Sequence, residues 1–380
     1  MVENLIENEE YKYKIYDKYT CSQNIDRIKF FKNESKNKKI KALSAGYHLD
    51  KETQKKTGGI FYFDISEDNK IIPIESENIL LDYGILDIKF SKDNSFIFTA
   101  NSDYSYTIYD LRSNSVNKKH LIENNEEKNK ITNDVIEIDS NEEKIFLGAN
   151  DGHIFIVDLS TQKNILSIPN AHEYGIWSIH LISENNPNLF MSGGEDAQIK
   201  LWDIRTKEGE IGYNNKSSNN KSYQSSINFI DHLKCELSNN VLITGSYDEK
   251  IILFDIRNFP KELKSIKTEH SVWDMKQSCL NNKNLLLMSS IYEGFNIWEI
   301  EPDNDYNMKH VLRIPVTKNK DIYHGTIVYG IDIQKKDNNN IDILSCSFYD
   351  NLMIYVKLGK SDLKVSRLCL GCMSFGQAGS

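Results

Sequence analysis

Apolar and polar residues alternate along most of the chain in short runs of about five to eight residues, the period of half-buried strands rather than of helices. The run Ile199-Lys200-Leu201-Trp202-Asp203 shows this, and so do Gly175-Ile176-Trp177-Ser178-Ile179-His180-Leu181 and Asn188-Leu189-Phe190-Met191-Ser192-Gly193. Gly, Asn and Asp punctuate the runs where tight turns need them. The pattern predicts sets of four short antiparallel strands, with the fourth, outer strand the least legible. Inner strands are expected to begin near Ile25, Ile85, Val135, Ile176, Ile227, Val272 and Val328. The first set carries a polar insertion from Asp50 to Lys56.

The repeat has a marker. Four aspartate pairs, Asp103/Asp110, Asp151/Asp158, Asp196/Asp203 and Asp248/Asp255, have their members seven residues apart. Successive pairs recur roughly every 45–50 residues, near the period of WD40 propeller blades. Gly193-Gly194-Glu195-Asp196-Ala197-Gln198-Ile199-Lys200-Leu201-Trp202-Asp203 is the clearest copy. The chain therefore resembles an all-β, seven-bladed WD40 β-propeller over residues 25–357, preceded by a segment, 1–24, that contains a ring-closing strand. Such a ring must close to protect its sheet edges. Tyr11-Lys12-Tyr13-Lys14-Ile15-Tyr16 alternates and is the expected outer strand of the seventh blade.

This spacing decides how the acidic residues are read. The first Asp of each pair falls in the turn between second and third strands, where it accepts backbone N–H bonds; Asp350 gets the same reading. The second ends a strand. WD40 resemblance implies that the turn Asp also holds a His ahead of the inner strand, which holds a Ser or Thr, which reaches a Trp. His172, Ser192, Asp196 and Trp202 supply that set in full. The first three are also the composition of a hydrolase triad, but no Gly-x-Ser-x-Gly elbow surrounds Ser192, so the structural reading is adopted.

Composition narrows the functional classes. Twenty Tyr and 16 Phe against six Pro suit strands. A net charge of −9 with no basic stripe argues against direct nucleic-acid contact. There is no apolar run of about 18 residues, so no membrane helix is expected. The polar start, Met1-Val2-Glu3-Asn4-Leu5, does not resemble a signal peptide. Six scattered cysteines read as reduced thiols, and Cys369-x-x-Cys372 lacks the further ligands of a zinc site. A cytoplasmic monomer without metal or cofactor is expected. Two low-complexity segments, Glu123–Lys130 and Asn214–Ser226, read as loops between blades.

Blade-specific motifs add a second resemblance. Ala171-His172-Glu173-Tyr174-Gly175-Ile176-Trp177, Thr244-Gly245-Ser246-Tyr247-Asp248-Glu249, Ser271-Val272-Trp273-Asp274, Tyr292-Glu293-Gly294-Phe295, His324-Gly325-Thr326-Ile327-Val328-Tyr329-Gly330-Ile331-Asp332 and Cys346-Ser347-Phe348-Tyr349-Asp350 follow in order. Together they resemble the WD40 enzymes of diphthamide biosynthesis called diphthine methyltransferase or diphthine methylesterase, over roughly residues 20–356. Ile333 departs from the aromatic expected there. The resemblance implies hydrolysis of the methyl ester of over-methylated diphthine on elongation factor 2, giving diphthine and methanol. A non-catalytic WD40 scaffold is the competing reading, because a fold does not choose its function. No Gly-rich nucleotide loop is visible, so no S-adenosylmethionine site is expected.

Ester hydrolysis needs an activated nucleophile and a stabilised oxyanion. His324, Glu293, Asp332 and Glu249 are the catalytic candidates, placed at one mouth of the channel. The implied substrate carries a trimethylammonium group, which aromatic faces attract. Trp177, Trp273, Tyr247, Tyr292 and Tyr329 are the candidates to bind it. Finally, residues 358–380 resemble the opening strands of an aldo/keto reductase, with no catalytic or dinucleotide-binding part. This tail is not expected to form an independent domain.

Overall fold

The computed structural model describes residues 11–31, 42–111, 115–121, 135–182, 188–206, 210–214, 222–234, 240–291, 294–301, 305–314, 324 and 327–359. The tail past Gly359, the Glu123–Lys130 segment and residues 215–221 lie outside them.

Seven antiparallel sheets stand around one axis as the blades of a propeller. Their inner strands are Arg27–Phe30, Ile85–Phe90, Val135–Ser140, Ile176–Leu181, Ile227–His232, Val272–Leu280 and Val328–Lys335. Each blade has four strands, and blade one has a fifth, Ile79–Leu81, paired to its third. The middle strands are the most apolar because blades cover both their faces: Val241–Ser246 is buried at every position. Between blades four and five, for example, Met191, Ile199, Leu201, Ile227, Leu242 and Phe254 form one apolar layer. Truncating such a residue to Ala removes burial and leaves a cavity, at a cost of about 2–5 kcal/mol.

The ring closes between strands far apart in sequence. Lys12–Thr20 pairs antiparallel with Leu352–Gly359, from Lys12 opposite Gly359 to Thr20 opposite Leu352. It is the outer strand of the seventh blade, in the place expected for Tyr11–Tyr16. Tyr11, buried, adds a hydrogen bond of 2.9 Å from its hydroxyl to Glu299 of blade six.

Two local rules repeat around the ring. The first concerns the turn between second and third strands. The residue after the turn Asp is left-handed: Tyr104 at φ +59°, Gly152 at +82°, Ala197 at +60°, Glu249 at +66° and Asn351 at +54°. The preceding carboxylate compensates by accepting hydrogen bonds. Asp196 takes the N–H of Glu173 and of Gln198, both at 3.1 Å, and Asp248 takes the N–H of Gln224 at 2.7 Å. The second rule concerns the inner strands, where a carboxylate accepts a backbone N–H from the next blade. Asp87 receives Ile138 at 3.2 Å, Asp139 receives Leu181 at 3.0 Å, and Asp332 receives Phe30 at 2.7 Å, the last across the ring closure.

The four-residue set of blade four is complete. His172 Nδ1 lies 2.9 Å from Asp196 and its Nε2 lies 2.7 Å from Ser192 Oγ, which accepts Trp202 Nε1–H at 2.7 Å. His172 and Ser192 are buried among the strands, so the trio serves packing of the blade and its hydroxyl has no approach for a substrate.

Candidate functional site

The inner strands carry a further regularity that builds the site. Near the start of six of them, in blades two to seven, the register against the second strand slips by one residue. The slip lies between Ile85 and Asp87, Val135 and Glu137, Ile176 and Ser178, Ile227 and Phe229, Val272 and Asp274, and Val328 and Gly330. Such a bulge leaves one residue out of the ladder and re-aims its side chain. The skipped residues are Leu86, Ile136, Trp177, Asn228, Trp273 and Tyr329. In blade one the corresponding residue is Asp26: Ile25 before it is fully buried, Arg27 after it pairs with Ala45, and its own N–H bonds the Ala45 carbonyl at 2.9 Å.

Three of these residues make a continuous aromatic wall at the channel mouth. The Trp177 and Trp273 rings lie 5.7 Å apart, and Trp273 and Tyr329 lie 5.0 Å apart, all edge to face. The wall continues through Phe348, 5.6 Å from Tyr329, to Tyr47, 4.8 Å from Phe348. Tyr349, exposed at the rim, stands 6.1 Å from Tyr329. Burial and then the Tyr349 hydroxyl hold the Tyr329 phenol well above its ordinary pKa, so it stays neutral. Lys56 Nζ caps the Tyr47 ring at 5.3 Å.

Asp26 stands beside this wall. Its residue is 7% exposed. Burial pushes its carboxyl up to about 6, with Asp87 adding to the rise and Arg27 and Lys56 opposing it. Arg27 reaches it at 3.4 Å and is held by Asp87 through Nε at 2.8 Å.

Below the mouth lies a cavity of about 290 Å³ that Arg27, Asn228 and Trp273 border from above. Its walls are charged but mostly paired: Lys89 to Asp139 at 2.5 Å, Lys276 to Asp274 at 2.6 Å, and Lys234 to Asp231 at 2.9 Å. His180 stands 4.0 Å from Asp139 and 3.8 Å from Asp231, yet burial drives its pKa down to about 4. Burial also lowers Lys29, with Lys276 adding to the effect. Among the described residues no group of three or more His, Cys, Asp or Glu side chains is arranged to hold a metal ion.

The structure thus brings together Trp177, Trp273 and Tyr329 of the residues singled out from sequence. It separates others from them. Asp332 lies three residues beyond Tyr329 along the same strand, roughly 10 Å deeper at about 3.3 Å per residue, and its carboxylate is engaged by Phe30. It borders the cavity rather than the mouth. His324 is 3% exposed, with Nε2 on Ser345 Oγ at 2.9 Å, the geometry of His172 on Ser192. Burial lowers its pKa to about 4, against the pull of Asp350. Glu249 is the left-handed residue of its turn and points toward Lys267 at 3.9 Å. Tyr247, in the same turn, is 41% exposed and among the described residues has no ring contact. Tyr292 and Glu293 lie outside the described residues. Asp26, Arg27, Tyr47, Phe348 and Tyr349 were not singled out as site residues. A signal for Asp26 exists: aligning Ile25, Ile85, Val135, Ile176, Ile227, Val272 and Val328 puts it in the slot that holds Trp177, Trp273 and Tyr329.

Comparison with known proteins agrees with the fold. The WD40 family, described as WD domain, G-beta repeat, matches residues 163–203. The chain is similar to proteins named diphthine methyltransferase. The human one is 31% identical over 127 residues, 33% of this chain and 26% of that protein. The one from Saccharomyces cerevisiae is 26% identical over 204 residues, 47% of this chain and 48% of that protein. The chain thus spans about a quarter to a half of the length of these relatives. Among solved structures, a chain of the crystal structure of the mitotic checkpoint complex superposes with a TM-score of 0.65 at 12% identity, covering 93% of this chain and 98% of that one. That likeness shows the fold, a seven-bladed WD40 propeller.

Proposed function

We propose that the chain acts in diphthamide biosynthesis, hydrolysing the methyl ester of methylated diphthine on elongation factor 2 to diphthine and methanol. The names of its relatives support the pathway. The observation that carries the reading is the wall of Trp177, Trp273 and Tyr329 at the channel mouth, three edge-to-face rings from three blades. A trimethylammonium group cannot donate a conventional hydrogen bond, so a protein holds it with aromatic faces, at roughly 0.5–2 kcal/mol per good contact. The methyl ester on the same substituent would then sit within reach of the polar residues beside Tyr329. Water attacks the ester carbonyl, the tetrahedral adduct expels methoxide, and one proton passes from water to the leaving group. Water is consumed and methanol released.

The test is purified protein with elongation factor 2 carrying the methylated side chain. Methanol release, with loss of one methylene mass from the factor, is expected. Binding without turnover would leave an interaction platform. Methyl gain dependent on S-adenosylmethionine would overturn the hydrolytic direction.

A further inference from the structure

We propose that Asp26 is the catalytic base of this site: its carboxylate takes the proton from the attacking water and returns it to the departing methoxide. The inference rests on the ester-hydrolysis reading above. Three observations carry it, and each concerns position rather than residue type.

First, Asp26 occupies in blade one the place that Trp177, Trp273 and Tyr329 occupy in theirs, and blade one adjoins blade seven, where Tyr329 stands. The carboxyl is therefore presented at the end of the aromatic wall. Of the seven residues in this slot, Asp26, Leu86, Ile136, Trp177, Asn228, Trp273 and Tyr329, Asp26 is the single one able to exchange a proton near neutrality.

Second, the neighbouring carboxylates are already used by the scaffold. Asp87 holds Arg27 and the Ile138 N–H, Asp139 holds Lys89 and the Leu181 N–H, Asp274 holds Lys276, and Asp332 holds the Phe30 N–H. Among the described residues, the cation within 4 Å of the Asp26 carboxyl is the Arg27 guanidinium, at the long distance of 3.4 Å, with Lys56 acting from farther away. Among the described residues no backbone N–H donates to its carboxyl. Its lone pairs remain available to a water.

Third, its side chain keeps 10% of its surface exposed. That is enough for one small molecule to touch it, while burial keeps bulk water from solvating it. A base so placed has a basicity near the working pH, where it accepts and returns a proton with least loss.

In the reaction, the oxygen of water forms a bond to the ester carbon as its proton moves to Asp26. The carbonyl π pair shifts to oxygen. On collapse the carbon–methoxide bond breaks, and methoxide takes the proton back from Asp26. The base ends as it began.

The experiment is the pH dependence of turnover on methylated elongation factor 2 for wild type, Asp26→Asn and Asp26→Glu. In wild type, log kcat is expected to rise with unit slope below pH about 6 and level off above it. Asp26→Asn should lose about 100- to 10,000-fold in kcat with KM changed little, and Asp26→Glu should recover part of the loss. Wild-type-like turnover by Asp26→Asn would overturn the inference and leave the ester-hydrolase reading standing. A wild-type profile flat from pH 5 to 8 would do the same. If Asp26→Asn does not fold, the wild-type and Asp26→Glu profiles decide alone. A wild type that binds the methylated factor without releasing methanol overturns both.

Discussion

The rings of Trp177 and Trp273 meet at 5.7 Å although they belong to blades four and six. The blade between them presents Asn228 in the same bulge position. Its amide donates to the Val272 carbonyl at 2.9 Å, which draws it toward blade six and leaves the two indoles free to touch. A large residue at 228 would stand between them. Asn228→Phe is therefore expected to raise KM for the methylated substrate, and Trp273→Ala to raise it by about tenfold, at 0.5–2 kcal/mol per cation–aromatic contact, with kcat less affected. Competition by tetramethylammonium should weaken in parallel. Unchanged KM in Trp273→Ala would remove the wall from substrate binding.

Asp26 links function to stability with a definite sign. Its folded carboxyl sits at about 6, above the ordinary 3.8, because burial disfavours the charge. A raised folded value means that the protonated form stabilises the fold. That contribution is full below pH about 4 and is lost as pH rises through about 6. Asp26→Asn removes the buried charge, so it should be more stable than wild type above pH 6. The gain should be about 1–3 kcal/mol, since a tenfold change in acidity corresponds to about 1.4 kcal/mol. Near pH 4 the two should unfold alike. Thermal or urea unfolding at pH 7.5 and pH 4 measures this directly; equal stability at both pH values would contradict it.

The trio His172, Ser192 and Asp196 has the composition of a triad and the geometry of a strut. In Ser192→Ala, Trp202 Nε1 and His172 Nε2 both lose the oxygen they share, at 2.7 Å each. Leaving buried polar groups unpaired costs about 1–3 kcal/mol. A drop in the urea midpoint of that order is expected, with turnover per folded molecule unchanged. A collapse of kcat at full folding would restore the triad reading.

Sequence and structure agree most where the requirement repeats. The turn Asp recurs because each turn needs a left-handed residue such as Ala197 or Glu249, with a carboxylate beside it to bind the freed N–H groups. The inner strands were legible because six of them, those of blades two to seven, begin with Ile or Val. What stayed hidden depends on contacts that form once. Tyr47 and Phe348, 4.8 Å apart, meet where blades one and seven adjoin, a junction made by strands far apart in sequence. Asp26 reads as one more acidic residue until the bulges of the other blades give it a position. Asp332 is expected at the mouth, but the extended strand Val328–Lys335 carries it to the cavity lining, where it accepts the Phe30 N–H. Glu249 and Tyr247 share a turn with the structural Asp248; Glu249 lies 3.9 Å from Lys267 and Tyr247 is exposed.

His324 illustrates how burial decides a histidine's role. Buried against Ser345, it is held neutral, with its pKa lowered from 6.5 to about 4. A lowered folded value gives stability that is full above pH 6.5 and is lost as pH falls through about 4. His324→Gln should therefore lose less stability than wild type between pH 6.5 and pH 4. Above pH 7 its turnover per folded molecule should match wild type, measured by methanol release normalised to folded protein. A large fall in kcat there would return His324 to the mechanism.

The ring closure itself is open to test. Lys12–Thr20 supplies a full strand edge to Leu352–Gly359, and Ile15 lies opposite Val356 within it. Without that strand the seventh blade exposes a row of unpaired N–H and C=O groups and the apolar layer beneath. Proline at position 15 lacks an N–H, fixes φ near −65° and removes the Ile15 side chain, so it should weaken the pairing of this edge strand with Leu352–Gly359. Ile15→Pro is expected to lower stability by about 1–3 kcal/mol, the cost of leaving a partner group of Leu352–Gly359 unpaired. Because Tyr47 and Phe348 join across this closure, the same variant should also loosen the aromatic wall. A rise in KM that exceeds what the unfolded fraction explains would show the coupling; intact KM at intermediate stability would show that the wall holds without it.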